Sequence, residues 1–166
     1  MFFKPNFWLK NVLSINKKFL TENNIKGLVL DLDNTLSMHG SPAAENGVME
    51  WLDEMRALGI KMVVVSNNTE KRVKPLARQL GLDFISFGCK PLTRGITKAI
   101  KKMGLQKKEV ALVGDQIFTD IIGGNLKRIK TVLVEPFHLE DKPSFKLKRK
   151  LESAVFKRDY SKLERK

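Results

Sequence analysis

The chain has 166 residues, of which 42% are hydrophobic and 30% are charged. This length suits one folded domain with a sizeable core, and this composition excludes a disordered or fibrous chain. Lysine and arginine number 31 against 18 acidic residues, which gives a formal charge of +13. Such a charge favours acidic partners such as nucleic acid or anionic lipid, unless it is only a solvated basic surface.

Cysteine content and hydropathy indicate a cytoplasmic setting. Cys89 is the single cysteine, so neither an internal disulfide nor a cysteine-based metal site is expected. No apolar run approaches the ~20 residues that span a bilayer. Lys4 and Lys10 interrupt the first apolar segment, which argues against a signal peptide. We expect a cytoplasmic protein, either free or peripheral on the inner face of the membrane.

Residues 1–25 form a basic, amphipathic N-terminal segment. At roughly 100° per residue, a helix here places Trp8, Val12, Ile15 and Phe19 on one apolar stripe. A basic helix of this kind lies in a membrane interface or packs on the body of the domain. We predict one helix and leave both placements open.

Short apolar runs alternate with helical patterns through residues 26–140, the predicted core. The runs are rich in Val, Ile and Leu, as buried parallel strands are, and cover residues 28–32, 62–65, 84–87, 110–113 and 131–134. Helical spacing recurs between them, first in Val48, Trp51, Leu52 and Met55. Gly81 and Gly104 follow two of these helices, where a left-handed C-cap is needed.

This alternation predicts an α/β domain with a doubly wound, Rossmann-like sheet of five mostly parallel strands. Little chain is left over between the elements, so we expect no cap domain and an open site. Residues 141–166 follow as a basic tail that could bind anionic lipid or RNA. No RNA-binding motif accompanies the tail, so nucleic acid is the less favoured partner.

Polar residues collect where the predicted strands end, which is where such sheets bind ligands. Asp31 and Asp33 follow the first strand, Ser66 and Asn67 the second, Lys90 the third, and Asp115 and Asp120 the fourth. Any one of these motifs taken alone can arise by chance or serve structure only, because Asp, Asn and Ser also form turns and helix caps. Their order at four successive strand ends favours a site.

The chemistry of these groups indicates phosphoryl transfer. Carboxylates are hard ligands suited to Mg²⁺, whereas a hydroxyl and an ammonium group, from Ser66 and Lys90, can hold a phosphoryl oxygen. Asp31 and Asp33 leave the same face of an extended backbone, and two carboxylates so close repel each other unless a cation intervenes. A carboxylate that attacks phosphorus forms an aspartyl-phosphate.

The four motifs resemble those of the haloacid dehalogenase superfamily of phosphatases, over residues 28–135. The detail is similar to the YqeG-like subgroup of class IIIA, with Asp31-Leu32-Asp33-Asn34-Thr35, Ser66-Asn67-Asn68, Lys90-Pro91 and Gly114-Asp115 leading to Asp120. Mitochondrial relatives of that subgroup dephosphorylate phosphatidylglycerophosphate. The resemblance therefore implies a magnesium-dependent phosphomonoester hydrolase that acts on a lipid phosphate.

The resemblance also implies roles for individual residues. Asp31 is the nucleophile and Asp33 the acid and base; Ser66, Asn67 and Lys90 bind the substrate phosphate. Mg²⁺ is held by Asp31, Asp33 through its carbonyl, Asp115 and Asp120. The alternatives are the same chemistry on a nucleic-acid end or a soluble sugar phosphate, and a basic binding module without turnover. The oligomeric state is left open.

Overall fold

The computed structural model describes residues 2–137, so the predicted basic tail 141–166 lies outside the described residues. The strands are β1 (Phe7–Leu9), β2 (Gly27–Leu30), β3 (Lys61–Val65), β4 (Asp83–Ile85), β5 (Val110–Gly114) and β6 (Lys130–Val134). The helices are α1 (Lys17–Glu22), α2 (Val48–Ala57), α3 (Glu70–Gln79), α4 (Arg94–Met103) and α5 (Ile122–Lys127). Short 3₁₀ turns lie at Val12–Ser14 and Lys107–Glu109, and a π-turn at Ile117–Ile121 precedes α5.

All six strands are parallel and lie in the order β1-β6-β5-β2-β3-β4. The chain winds outward from β2 through β3 to β4, then returns to the other side of β2 for β5 and β6. The winding therefore reverses between β2 and β5, which is where ligands bind in doubly wound sheets. Leu30 at the end of β2 is in register with Val113 of β5 and Val64 of β3. The predicted α/β, Rossmann-like architecture is confirmed.

Within residues 2–137 the sheet has six strands, whereas the sequence pattern predicts five. The extra strand is β1, which pairs with β6 through Trp8 opposite Leu133. Asn6 extends this pairing because its side-chain oxygen accepts a hydrogen bond from the Thr131 amide at 2.9 Å. A three-residue strand that ends at Leu9, just before Lys10, is too short to give an apolar run or an alternating pattern.

The prediction of a single N-terminal helix is wrong, because the segment forms β1, a 3₁₀ turn and α1 in succession. Val12 and Ile15 are fully buried and Leu20 is 3% exposed. Trp51 of α2 donates a hydrogen bond from its indole nitrogen to the carbonyl of Ile15 at 2.8 Å. Val12, Ile15 and Leu20 therefore pack on the sheet, whereas Trp8 lies in β1 of the sheet itself, and the core includes residues that precede position 26.

Two apolar layers enclose the sheet. On one face α1, α2 and α3 pack over β2 and β5, and all four residues of the stripe that begins at Val48 are at most 4% exposed. On the other face α4 packs through Ile96, Ala99 and Ile100 against Val29 and Val63. Each fully buried aliphatic side chain of this kind stabilises the fold by about 1.5–3 kcal/mol. The burial of both faces explains why the strands read as continuous apolar runs.

Two glycines end helices as predicted. Gly81 and Gly104 both have φ of +64°, which favours glycine, and the amide of Gly104 donates to the Ile100 and Lys101 carbonyls at 3.1 Å. Within residues 2–137 no domain is inserted between the elements of the sheet, in agreement with the expected absence of a cap. In the same range no helix is both long enough and apolar enough to cross a bilayer.

Candidate active site

Asp31 lies at the centre of the carboxyl edge of the sheet. Its amide donates to the Val113 carbonyl at 2.9 Å, so the pairing of β2 with β5 continues one residue beyond β2. On the other side Ser66 follows β3, and its amide donates to the Ile85 carbonyl of β4 at 3.0 Å. Because β5, β2 and β3 are neighbours, Asp115, Asp31 and Ser66 end three adjacent strands.

Lys90 joins two of the predicted carboxylates. Its Nζ lies 2.5 Å from Asp31 Oδ1 and 2.7 Å from Asp120 Oδ1, and its side chain is 2% exposed. Burial raises the pKa of Asp31 to about 7, with Lys90 opposing the shift and Asp120 adding to it. Burial disfavours the charge of Lys90, but Asp120 and Asp31 outweigh it and raise the pKa of Lys90. Lys90 therefore stays charged between two carboxylates.

The backbone of Lys90 is held by Asn67. The side-chain amide of Asn67 donates to the Lys90 carbonyl at 2.8 Å, and its oxygen accepts from the Lys90 amide at 2.7 Å. Both polar atoms of the side chain are thus engaged with backbone. The structure places Asn67 at the predicted site, but in a position to fix the loop that carries Lys90.

A π-turn brings Asp120 back to the strand end that carries Asp115. The amides of Asp120 and Ile121 both donate to the Gln116 carbonyl, at 2.9 and 3.3 Å, which widens this turn. Asp120 Oδ2 also accepts from the Gln116 amide at 3.2 Å. A Cβ on Gly114 would lie 2.3 Å from Cγ of Asp120, so only glycine leaves room for this carboxylate. Single turns of π-helix are frequent at functional sites.

Asp33 has its own set of donors, separate from Lys90. Its Oδ1 accepts from Arg72 at 2.7 Å and from the Gly40 amide at 3.3 Å, and its Oδ2 accepts from Asn68 at 2.8 Å. The His39 ring lies 4.0 Å from the same carboxylate. Asp33 is 7% exposed. Its carboxylate is therefore fixed beside Asp31 without sharing the cation of Asp31.

Three carboxylates could hold a metal ion. Asp31, Asp115 and Asp120 each offer an oxygen, and these oxygens lie within 4.8 Å of one another. With Asp33 they bring four negative charges to the site, against two positive charges from Lys90 and Arg72. The remaining formal charge of minus two is the charge that a divalent cation balances, and hard carboxylate oxygens suit Mg²⁺. The residues present fit such an ion.

An open cavity of about 310 Å³ lies over these groups. The residues that line it all carry polar side chains and are Asp31, Asp33, His39, Ser66, Asn67, Asn68, Lys90, Gln116 and Thr119. Ser66 is 3% exposed, and its hydroxyl oxygen accepts from the Asn68 amide at 3.1 Å. Asp31, Ser66 and Lys90 therefore face one space in which a phosphoryl group has room.

The structure brings every predicted site residue to this edge of the sheet. Sequence reasoning missed Arg72, Asn68, His39, Gln116 and Thr119. Asn68 and Gln116 lie inside the recognised motifs, so their position next to predicted site residues already indicated that they belong to the site. Arg72 offered no signal, because one arginine in so basic a chain is unremarkable until α3 brings it to Asp33.

Comparison with known proteins places the chain among phosphatases. Residues 43–126 match the family described as haloacid dehalogenase-like hydrolase. A probable phosphatase, YqeG, of Bacillus subtilis (strain 168) is 41% identical over 140 residues, which are 84% of this chain and 81% of that protein.

Two further relatives are more distant. The chloroplastic/mitochondrial phosphatidylglycerophosphate phosphatase 1 of Arabidopsis thaliana is 29% identical; the match covers 95% of this chain and 48% of the plant protein. The cobalt-bound form of the deoxy-D-mannose-octulosonate 8-phosphate phosphatase of Haemophilus influenzae has a TM-score of 0.53 at 15% identity, covering 81% of this chain and 89% of that one. The second likeness is one of fold.

Proposed function

The chain belongs to the haloacid dehalogenase-like hydrolases and is a phosphatase, and we propose that it hydrolyses phosphomonoesters through a covalent intermediate on Asp31. The observation that carries this proposal is the contact of Asp31 with Lys90, 2.5 Å apart on the floor of an open polar cavity. A carboxylate held beside a buried ammonium group can attack a phosphorus atom whose oxygens the same ammonium group neutralises.

In the first half of the reaction, an oxygen of Asp31 forms a bond to phosphorus as the bond from phosphorus to the leaving oxygen breaks. Asp33 in its protonated form donates a proton to that leaving oxygen, which departs as an alcohol. The Ser66 hydroxyl and Lys90 hold the phosphoryl oxygens. Asn67 acts through the backbone of Lys90, because both of its polar atoms are spent there.

In the second half, water attacks the phosphorus of the aspartyl-phosphate. Asp33, now ionised, takes a proton from the water as the bond between phosphorus and the Asp31 oxygen breaks. Inorganic phosphate leaves, and both carboxyl groups return to their first state. Arg72, Asn68 and the Gly40 amide hold Asp33 in place for both transfers.

The divalent cation is part of this proposal, and we take it to be Mg²⁺. The side chains of Asp31, Asp115 and Asp120 would hold it, with the carbonyl of Asp33. When bound, it neutralises negative charge on the transferred group.

We further propose that the substrate is a lipid phosphate such as phosphatidylglycerophosphate. A cavity without an inserted cap admits a phosphate attached to a bulky group. The plant relative, which hydrolyses that lipid according to its name, aligns with 95% of this chain. The proposal places the protein at the inner surface of an anionic membrane.

The test is a phosphate-release assay on a panel of monoesters with Mg²⁺ present. The panel comprises phosphatidylglycerophosphate in detergent micelles, p-nitrophenyl phosphate, a sugar phosphate and a 5′-phosphorylated oligonucleotide. We expect the lipid to give the highest kcat/KM. A higher value for the sugar phosphate or the oligonucleotide would overturn the lipid assignment and retain the mechanism, whereas no release from any monoester would overturn the mechanism.

A further inference from the structure

Large apolar side chains are exposed on the two loops that also carry cavity-lining residues. Phe87 and Leu92 are 62% and 66% exposed and lie on the loop between β4 and α4 that also carries Lys90. Met38 is 43% exposed and lies on the loop that follows Asp33. These three residues, called the apolar rim below, flank β3 on both sides, because β2 and β4 are its two neighbours.

The loops of the apolar rim are bonded to the catalytic groups. The Phe87 amide donates to the Asn68 carbonyl at 2.9 Å, and the Asn68 side chain donates to Asp33. Beyond Met38, the Gly40 amide donates to the same carboxylate. A surface that contacts the apolar rim is therefore held at a fixed position relative to Asp33 and Asp31.

The exposed position of Phe87 is not explained by packing or by backbone preference. This residue has φ of +48°, a conformation that disfavours a bulky side chain. The neighbouring Gly88 fits tightly, since a Cβ there would lie 2.6 Å from Cγ1 of Val65. The backbone at Phe87 is therefore strained, and burial of its side chain does not offset that strain because the residue is 62% exposed.

We propose that the apolar rim enters the surface of an anionic lipid bilayer and so places a lipid phosphate over Asp31. This inference rests on the proposed lipid substrate. Exposed Lys71 and Arg94 lie in the first turns of α3 and α4, at the same edge of the sheet. The acidic Glu70 is paired with Lys74 at 2.9 Å. Apolar side chains among cations complement an anionic bilayer, whose phosphates lie just outside its apolar interior.

The test is co-sedimentation with phosphatidylcholine vesicles that do or do not contain phosphatidylglycerol. The main variant is Phe87→Asn with Leu92→Gln, because asparagine tolerates positive φ. The matched control is Leu126→Gln, a residue 47% exposed at the end of α5, on the opposite edge of the sheet. We expect the double variant to lose anionic-vesicle binding about tenfold or more while the control binds as wild type. Hydrolysis of p-nitrophenyl phosphate by the double variant shows that Lys90 is still in place.

A second variant keeps the proposal open to refutation if the double variant folds poorly. Leu92→Trp should bind anionic vesicles at least as tightly as wild type, because tryptophan favours membrane interfaces. Wild-type affinity in the double variant, or loss of binding in Leu92→Trp, would overturn the role of the rim.

Loss of a wild-type dimer in the double variant, with vesicle binding unchanged, would also overturn that role and assign the rim to a second copy of this chain. If wild type binds vesicles but releases no phosphate from the lipid in micelles, the substrate assignment and the placing of a lipid phosphate over Asp31 both fail, and the rim stands only as a membrane-binding surface.

Discussion

Lys90 is the cation that two carboxylates of the site share. Its ammonium group contacts Asp31 and Asp120 and is almost completely buried. Removing one partner of a buried ion pair leaves an uncompensated charge, which costs several kcal/mol. The site is therefore ordered by its own charges, and Asp31 is held in one orientation by a contact that a substrate oxygen can share.

Asp31→Asn should abolish phosphate release, because an amide does not attack phosphorus. We expect kcat to fall by at least about a thousandfold with p-nitrophenyl phosphate, since within residues 2–137 no other carboxylate both contacts Lys90 and lines the cavity. The matched control is Asp53→Asn, an exposed aspartate paired with Arg56 at 2.7 Å. Activity near wild type in Asp31→Asn, with circular dichroism unchanged, would contradict the covalent scheme.

Arg72→Ala should impair substrates whose leaving group is poor. Loss of the 2.7 Å contact leaves Asp33 less well positioned as an acid, and an acid matters most when the leaving oxygen is basic. We expect kcat to fall about ten- to hundredfold with an alkyl phosphate and less than about threefold with p-nitrophenyl phosphate. Arg72→Lys should restore part of the loss. Equal losses on both substrates would instead indicate a general structural role for Arg72.

The predictability of the site varied from residue to residue. Asp31, Ser66 and Asp115 follow buried strands directly, so local pattern was enough to place them on one edge. The family resemblance implies that Asn67 binds the phosphate, whereas its hydrogen bonds to the backbone of Lys90 depend on a loop that local pattern does not describe. Arg72 reaches Asp33 from α3, whereas Asp33 lies in the loop after β2, and nothing local marks such a contact.

Among the elements, the π-turn makes the position of Asp120 depend on Gly114. Gly114→Ala would force the Asp120 carboxylate away from Lys90, because the added Cβ has 2.3 Å where it needs more than 3 Å. We expect affinity for Mn²⁺ or Mg²⁺, measured by calorimetry, to fall about ten- to hundredfold. Gly123→Ala in α5 is the matched control, since its nearest neighbour is the flexible end of Ile96 at 3.1 Å. Undiminished metal binding in Gly114→Ala would separate Asp120 from the metal site.

The N-terminal elements belong to the core, so their loss should act on stability. Ile15→Ala should lower the free energy of unfolding by about 2–5 kcal/mol, because Ile15 is fully buried beneath Trp51. Lys18→Ala, an exposed change in α1, should alter it by less than about 0.5 kcal/mol. Urea unfolding followed by tryptophan fluorescence gives both values. A small effect of Ile15→Ala would favour a segment that detaches from the domain.

The same elements show where periodicity misleads. Trp8, Val12, Ile15 and Phe19 fit a helical stripe, yet Trp8 lies in β1 of the sheet, Val12 and Ile15 in and just after a 3₁₀ turn, and Phe19 in α1. A helical spacing therefore arises here without one continuous helix. By contrast, α2 and α4 are long enough for their stripe to identify them, and the five longer apolar runs each became a strand. The third run ends two residues early because Phe87 leaves the extended conformation.

Across the whole molecule, a strongly basic chain carries an acidic site. The formal charge of the chain is +13, whereas the four carboxylates of the site outnumber its two cations, so the site has a formal charge of minus two. Chelation with EDTA should therefore silence the enzyme, and Mg²⁺ should restore it. Ca²⁺ should restore far less activity, because it adopts larger and looser coordination. Phosphate release with p-nitrophenyl phosphate measures each state, and full activity in EDTA would remove the metal from the mechanism.

The position of β1 sets an order of assembly for the molecule. Among the strands of residues 2–137 it comes first along the chain, but its one neighbour in the sheet is β6, which comes last. During synthesis, β1 must wait until Lys130–Val134 has left the ribosome, while β2 to β4 can already pair among themselves. Because contacts between such distant segments slow folding, docking of β1 should be a late event. Until β1 docks, the outer edge of β6 and the apolar surface that Val12 and Ile15 cover in the folded protein stay exposed. A nascent chain can therefore aggregate at the edge of the sheet opposite β4.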